Sequence, residues 1–250
     1  MNRRFTIRTA CLPLASLLLA AAPSHAVIVL GNGESVNMSA LFAPGSDRVV
    51  RIDDKIFTFE SFTSSQFQTQ NFTVIGFVSA ATNQWGLHNV GFDITGPFGD
   101  GSPGDGVAHE MNLQYNVAVA PDAYAQDVRL CDAHLTFNGS ANGTGSYARV
   151  DETIWDLDTN SFLGNMSAYD HFGPPSMTRL TDARDFCRLY DNMHGWRAFE
   201  VNKDLKFFAR TADSFSTASF VRQEFSQIMA PAPGAAALVA LAGLATRRRR

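Results

Sequence analysis

Cysteine is scarce in this 250-residue chain: Cys11, Cys131 and Cys187 are the only ones. Histidine is sparse too, and none of His88, His109, His134, His171 and His194 stands in a paired zinc spacing. His109-Glu110 lacks the second histidine four residues along that a helical zinc motif needs. No Gly-x-Ser-x-Gly elbow occurs, so a Ser-His-Asp triad has no starting point. Carboxylate pairs such as Asp151-Glu152 point to opposite faces of a strand and cannot act together. Helix-length apolar periodicity is scarce and no internal repeat is present. The expectation is a chain with no metal, no cofactor and no enzymatic activity.

Positive charge is short wherever the chain can fold. Of 20 basic residues, Arg3, Arg4, Arg8 and Arg247 to Arg250 lie in terminal segments that hold no acid. The remaining 13 face all 24 acidic residues, a net charge of −11. An acidic body argues against nucleic acid and against anionic lipid as partners.

The two ends explain where those arginines belong. "MNRRFTIRTACLPLASLLLAAAPSHA" has a basic start, a short apolar core and small residues at Ser24 and Ala26. That is the pattern of a secretory signal peptide over 1–26, with a mature start at Val27. At the other end stand Pro231-Ala232-Pro233, an apolar run from Gly234 to Ala245, and Arg247, Arg248, Arg249 and Arg250. As a helix the run is about 18 Å long, against a hydrocarbon core of about 30 Å. The prolines stop it from extending backward, and the arginines hold its end on the cytoplasmic side. The design is a short transmembrane helix for transient insertion; the alternative is a plain C-terminal anchor.

In its order of Pro-x-Pro, apolar helix and arginine cluster, the segment 230–250 resembles the PEP-CTERM sorting signal, in a Pro-Ala-Pro-Gly variant. The signal residues are then Pro231, Pro233, Gly234 and Arg247 to Arg250. The resemblance implies two processing partners, signal peptidase and an exosortase-like enzyme. It also implies an address at the cell envelope, cell surface or extracellular matrix. The body shares with such proteins "IDDKIFTFESF", "LGNMSAYDHFG", "RLTDARDF" and "FEVNKDLKFFARTADSFSTASFVRQEFSQ", in which Lys203-Asp204 precedes a final strand running into the tail. That resemblance implies a β-rich fold and supplies no catalytic residues.

The body, 27–229, reads as one all-β domain, an antiparallel sandwich or jelly roll. "MNLQYNVAV" places Met111, Leu113, Tyr115, Val117 and Val119 on one face and polar residues on the other, as a half-buried strand does. "RLCDAHLTF" alternates in the same way, and the Gly/Asn-rich stretch Asn138 to Gly145 predicts a hairpin into "SYARVDETIW". Further strands are expected at Val27–Leu30, Val49–Thr58, Phe72–Ser79, Leu87–Ile94, Phe162–Tyr169, Ala198–Phe208 and Ser216–Ile228. A helix is expected around "TDARDFCRLYDNM", where Phe186, Tyr190 and Met193 fall at helical spacing. Most of the 20 phenylalanines belong in the core.

Three groups of residues remain as candidates. Cys131 and Cys187 form an even pair in an exported body, which points to a disulfide; two separate buried thiols are the alternative. "DLDTN" spaces Asp156, Asp158 and Asn160 as a calcium loop would, but serine stands at 161 and 167 where glycine and glutamate are needed. It reads as a hairpin turn. Trp85, Trp155 and Trp196 are candidates for a sugar-stacking platform. Trp155 shares its face with Thr153, Asp151 and Arg149, and core filling is the competing role for all three. The leading expectation is a non-enzymatic exported surface or matrix protein; the alternative is a carbohydrate-binding module associated with exopolysaccharide.

Overall fold

The computed structural model describes residues 27–64, 66–192 and 194–230. The expected signal peptide (1–26) lies outside them, and so do Pro231, Pro233, Gly234 and Arg247 to Arg250 of the sorting segment. Among the described residues no helix is long and apolar enough to cross a membrane. Strand makes up 61% of the described residues and helix 7%, which fixes the class as all-β.

The strands are β1 (Ile28–Leu30), β2 (Ser35–Asn37), β3 (Val49–Ile52), β4 (Lys55–Ser64), β5 (Thr73–Thr82), β6 (His88–Gly99), β7 (His109–Val119) and β8 (Val128–Phe137). They continue with β9 (Ser140–Asn142), β10 (Ser146–Asp156), β11 (Ser161–Phe172), β12 (Met177–Arg179), β13 (Thr181–Asp185), β14 (Ala198–Phe208) and β15 (Phe215–Met229). Three one-turn helices, α1 (Met38–Leu41), α2 (Pro121–Tyr124) and α3 (Phe186–Leu189), punctuate them. One sheet runs β1-β3-β4-β7-β14-β10-β11-β12; the other runs β13-β8-β15-β6-β5-β2, with β9 added beside β15. Pairing is antiparallel apart from β1 on β3.

Alternation builds the sandwich. On β7 the side chains of Met111, Leu113, Tyr115 and Val117 are buried while Asn112, Gln114 and Asn116 face outward. Each sheet thereby has one apolar face, and the two faces close on each other. Aromatic rings carry much of the contact between them. Phe57 of β4 meets Phe92 of β6 at 5.1 Å between centroids, Phe207 of β14 stacks on Phe98 of β6 at 5.8 Å, and Phe199 of β14 meets Phe225 of β15 at 6.2 Å. Both sheets feed one hydrophobic core.

Three sequence expectations need correction. The strand expected over Val49–Thr58 is two strands, because Asp53 takes a left-handed conformation (φ 49°) and turns the chain back on itself. The stretch Asn138 to Gly145 does not join neighbouring strands: β8 and β10 lie in different sheets. Alternation gives each of them one buried face, and facing the core from opposite sheets satisfies that as well as pairing does. Asn138 fixes the crossover, its Oδ1 accepting from the Ser219 and Phe220 amides at 3.0 Å. Finally, Thr181–Asp185 pairs with β8 as an edge strand, so the expected helix shrinks to α3, capped where Asp185 Oδ1 accepts from Arg188 N at 2.9 Å.

Candidate functional site

The outer face of the eight-stranded sheet is built of registered rows. Odd-numbered residues of β10 point outward, as do even-numbered residues of β7 and β14. Register places Thr58, Asn116, Glu200, Trp155 and Phe162 in one row across five strands. The next row is Ser61, Gln114, Asn202, Thr153 and Asn165, followed by Thr63, Asn112, Asp204, Asp151 and Ser167. Beyond them come Glu110, Lys206, Arg149 and Tyr169, then Phe208, Tyr147 and His171. The result is a polar lane with rings at both ends. Trp155 and Phe162 meet edge to face at 5.4 Å, and Tyr147 lies against Phe208 at 5.5 Å. Trp155 lies eight positions beyond Tyr147 on β10, about 26 Å of strand.

The lane's polar groups are held in hydrogen-bonding pairs. Glu200 Oε1 accepts from Gln114 Nε2 at 2.9 Å and from Asn202 Nδ2 at 3.1 Å. Glu60 Oε1 accepts from Asn116 Nδ2 at 2.9 Å, and Asp151 Oδ1 accepts from the Ser167 hydroxyl at 2.8 Å. At the tyrosine end Tyr147, Arg149, Tyr169, His171, Met177 and Lys206 line a cleft of about 450 Å³. Arg149 Nε is 2.5 Å from Asp151 Oδ2, and Lys206 Nζ is 3.1 Å from Asp204. The Asp204 bond raises the Lys206 pKa, and partial burial raises that of Tyr147. Both therefore stand in their donor forms at neutral pH.

The three tryptophans do not share one platform. Trp155 is half-buried on the lane. Trp196 is buried between Phe186, Tyr190 and Phe199, so its indole has no free face for a sugar. Trp85 is exposed on the turn before β6 and lines a separate cleft with Cys131, Cys187, Arg188 and Met229. Cys131 of β8 and Cys187 of α3 are joined as a disulfide, with Cα atoms 5.2 Å apart. "DLDTN" is the turn between β10 and β11: Asp156 accepts from the Asp158 amide at 3.0 Å and from the Thr159 hydroxyl at 2.6 Å. Among the described residues no cluster of His, Cys, Asp and Glu could hold a metal ion.

Sequence reasoning passes over two clusters in the core. Lys203 and Glu152, paired across β14 and β10, are in direct contact with both side chains fully buried, and Lys203 also donates to Gln223 Oε1 at 3.0 Å. Desolvation holds the Lys203 pKa well below the usual lysine range. Lys55 is likewise fully buried, against Asp54 and Gln227. A signal for the first cluster exists: Lys203 alternates in phase with the inward Val201 and Leu205, Glu152 with Val150 and Ile154, and Gln223 with Val221 and Phe225.

No protein-family model and no curated protein matches this chain. Among solved structures it is similar to a carbohydrate-binding module that recognises mannan, at 10% identity over 76% of this chain and 95% of that one, with a TM-score of 0.26. A DUF4465 family protein from Bacteroides caccae matches at 9% identity over 66% and 86% of the two chains, TM-score 0.25. A cellulase derived from that of Rhodothermus marinus matches at 13% identity over 70% and 99%, TM-score 0.23. At these scores the likenesses carry no argument about ligand or chemistry.

Proposed function

We propose that this protein is an exported, non-enzymatic envelope or matrix component whose sandwich holds polysaccharide along the outer face of its eight-stranded sheet. One observation carries the reading: the registered lane of amides, hydroxyls and carboxylates, with Trp155 and Phe162 at one end and Tyr147, Tyr169 and Phe208 at the other. A sugar ring offers an apolar C–H face to an aromatic ring and vicinal hydroxyls to paired donors and acceptors. An aromatic side chain with a polar handle suits such a half-wet surface. A track of about 26 Å accommodates several sugars of an extended chain, so the ligand class is a polymer. The acidic body favours neutral polysaccharide over polyanions.

Export and sorting complete the proposal. Signal peptidase would release the body at Val27, and an exosortase-like enzyme would act on the Pro231–Pro233 segment and its short apolar helix. Support comes from residues 1–26 and 230–250 of the sequence together with the acidic, disulfide-bearing body between them.

Affinity electrophoresis of the exported protein through gels containing the host's exopolysaccharide tests the binding role. Retention that falls at least tenfold on Tyr147→Ala with Trp155→Ala is expected. Unretarded migration of the wild type would leave a purely structural role. Intact-mass analysis of protein from the native host tests the sorting role. The expected product starts at Val27 and lacks everything from about Gly234; a full-length C-terminus in the membrane fraction supports the plain anchor instead.

A further inference from the structure

Lysine occurs only at 55, 203 and 206 in this chain, and two of the three are fully buried. At Lys55 three side chains meet that together have the makings of a covalent bond. Lys55 opens β4 directly after the Asp53-Asp54 turn. Gln227 comes from β15 of the opposite sheet, at a register shift between Ser226 and Gln227, and such a bulge re-aims a side chain. Lys55 Nζ is in direct contact with Gln227 Oε1. Asp54 closes the triangle: its Oδ1 accepts from Lys55 Nζ at 3.0 Å and its Oδ2 accepts from Gln227 Nε2 at 2.8 Å.

We propose that this triad is a self-catalysed cross-linking site, at which Lys55 Nζ attacks Gln227 Cδ to form an amide bond between the two sheets and release ammonia. The bond formed is Nζ–Cδ and the bond broken is Cδ–Nε2. Asp54 touches both nitrogens, so it takes a proton from the attacking amine and returns one to Nε2, which leaves as NH3. An amine and a carboxamide give an amide and ammonia, with no oxidant, reductant or further reactant.

The surroundings suit the step. Burial lowers the Lys55 pKa, against the opposing pull of Asp54, and so favours the neutral, nucleophilic amine. The Lys55 side chain has no exposed surface, which keeps water from competing. Asp54 and Gln227 also line a surface cleft of about 270 Å³, which gives ammonia a way out. The second buried cluster lacks the proton route: Glu152 Oε2 and Gln223 Nε2 have no hydrogen-bond partner, so no carboxylate reaches the nitrogen that would leave. The cross-link is therefore assigned to Lys55 and not to Lys203.

The test is mass spectrometry on protein expressed from its full chain, reduced, denatured and compared with the sequence mass between its observed ends. The expected deficit is about 17 Da, the mass of ammonia. Trypsin should yield the peptide 52–129, uncut at Lys55, joined to the peptide that begins at Gln223. Asp54→Asn, nearly isosteric, leaves both reacting groups in place and should restore the full mass with an unchanged far-ultraviolet spectrum; Lys55→Arg should do the same. Full mass in the wild type would overturn the proposal. A deficit of about 18 Da mapped to Lys203 and Glu152, or a deficit that survives Asp54→Asn, would overturn it as well.

Discussion

Replacing Lys203 by methionine keeps most of the side chain's volume and removes its one polar atom. In the wild type that nitrogen satisfies Glu152 and Gln223, both inside the sandwich where water does not reach. Without it the Glu152 carboxyl, already unpartnered at Oε2, must stay charged in a dry core or take up a proton at its own expense. Breaking a buried pair from one side costs about 3–5 kcal/mol. Removing the carboxyl as well, in Lys203→Met with Glu152→Leu, leaves only Gln223 Oε1 without its donor, a penalty of about 1–3 kcal/mol. The double variant should therefore recover about 2 kcal/mol relative to the single one. Urea denaturation followed by tryptophan fluorescence reads this directly. With a slope of about 2 kcal/mol/M, the single variant should lose about 2 M in midpoint without a change in slope. A single variant within about 1 kcal/mol of wild type, or a double variant no more stable than the single, would refute the reasoning.

Other expectations follow from the opposite sheet and the disulfide. His134 Nε2 lies 3.0 Å from Asp132 Oδ1, a bond that raises the His134 pKa against the opposing effect of burial. Burial pushes Asp132 up, but the His134 and Ser226 contacts outweigh it and leave its pKa lowered. The histidine's contribution is complete below about pH 6.5 and lost as pH rises through its folded value; the aspartate's is present above about pH 4 and lost as pH falls through its own. NMR titration should place the His134 midpoint above about 6.5, dropping on Asp132→Asn. Reducing Cys131–Cys187, 56 residues apart in sequence, should cost about 4 kcal/mol on the chain-entropy account, read as a lower denaturation midpoint in dithiothreitol. A Cβ at Gly91 would fall 1.8 Å from the Gln223 carbonyl oxygen, parting β6 from β15. Gly91→Ala should therefore cost more than about 4 kcal/mol, measured by thermal unfolding, whereas a cost below about 1 kcal/mol would show that the strands can separate freely.

The period-two pattern makes much of the fold legible. It predicts β7, β8, β10 and β14 with nearly their observed limits, and it sorts Thr153, Asp151 and Arg149 onto the face of Trp155. It cannot say which strand lies beside which. β14 sits between β7 and β10, partners far away in the chain, and β8 faces the core from the other sheet although only eight residues separate it from β10. For the same reason the lane is invisible in sequence: Tyr147, Lys206 and Tyr169 become neighbours only through register. Lys203, Glu152 and Gln223 show the converse. Their phase along the strand marks them as inward, while their chemistry argues for solvent, and only mutual contact reconciles the two. Trp196 fills the core because the loop carrying it bridges to Leu130, a contact no local pattern announces.

The most direct test of the binding lane is hydrogen exchange with and without oligosaccharides cut from the host's exopolysaccharide. The account predicts slowed exchange in β10, β11 and β14 around Tyr147, Tyr169 and Trp155, with the turn carrying Trp85 unaffected. Protection centred on Trp85 and the disulfide, or no protection at saturating oligosaccharide, would contradict it.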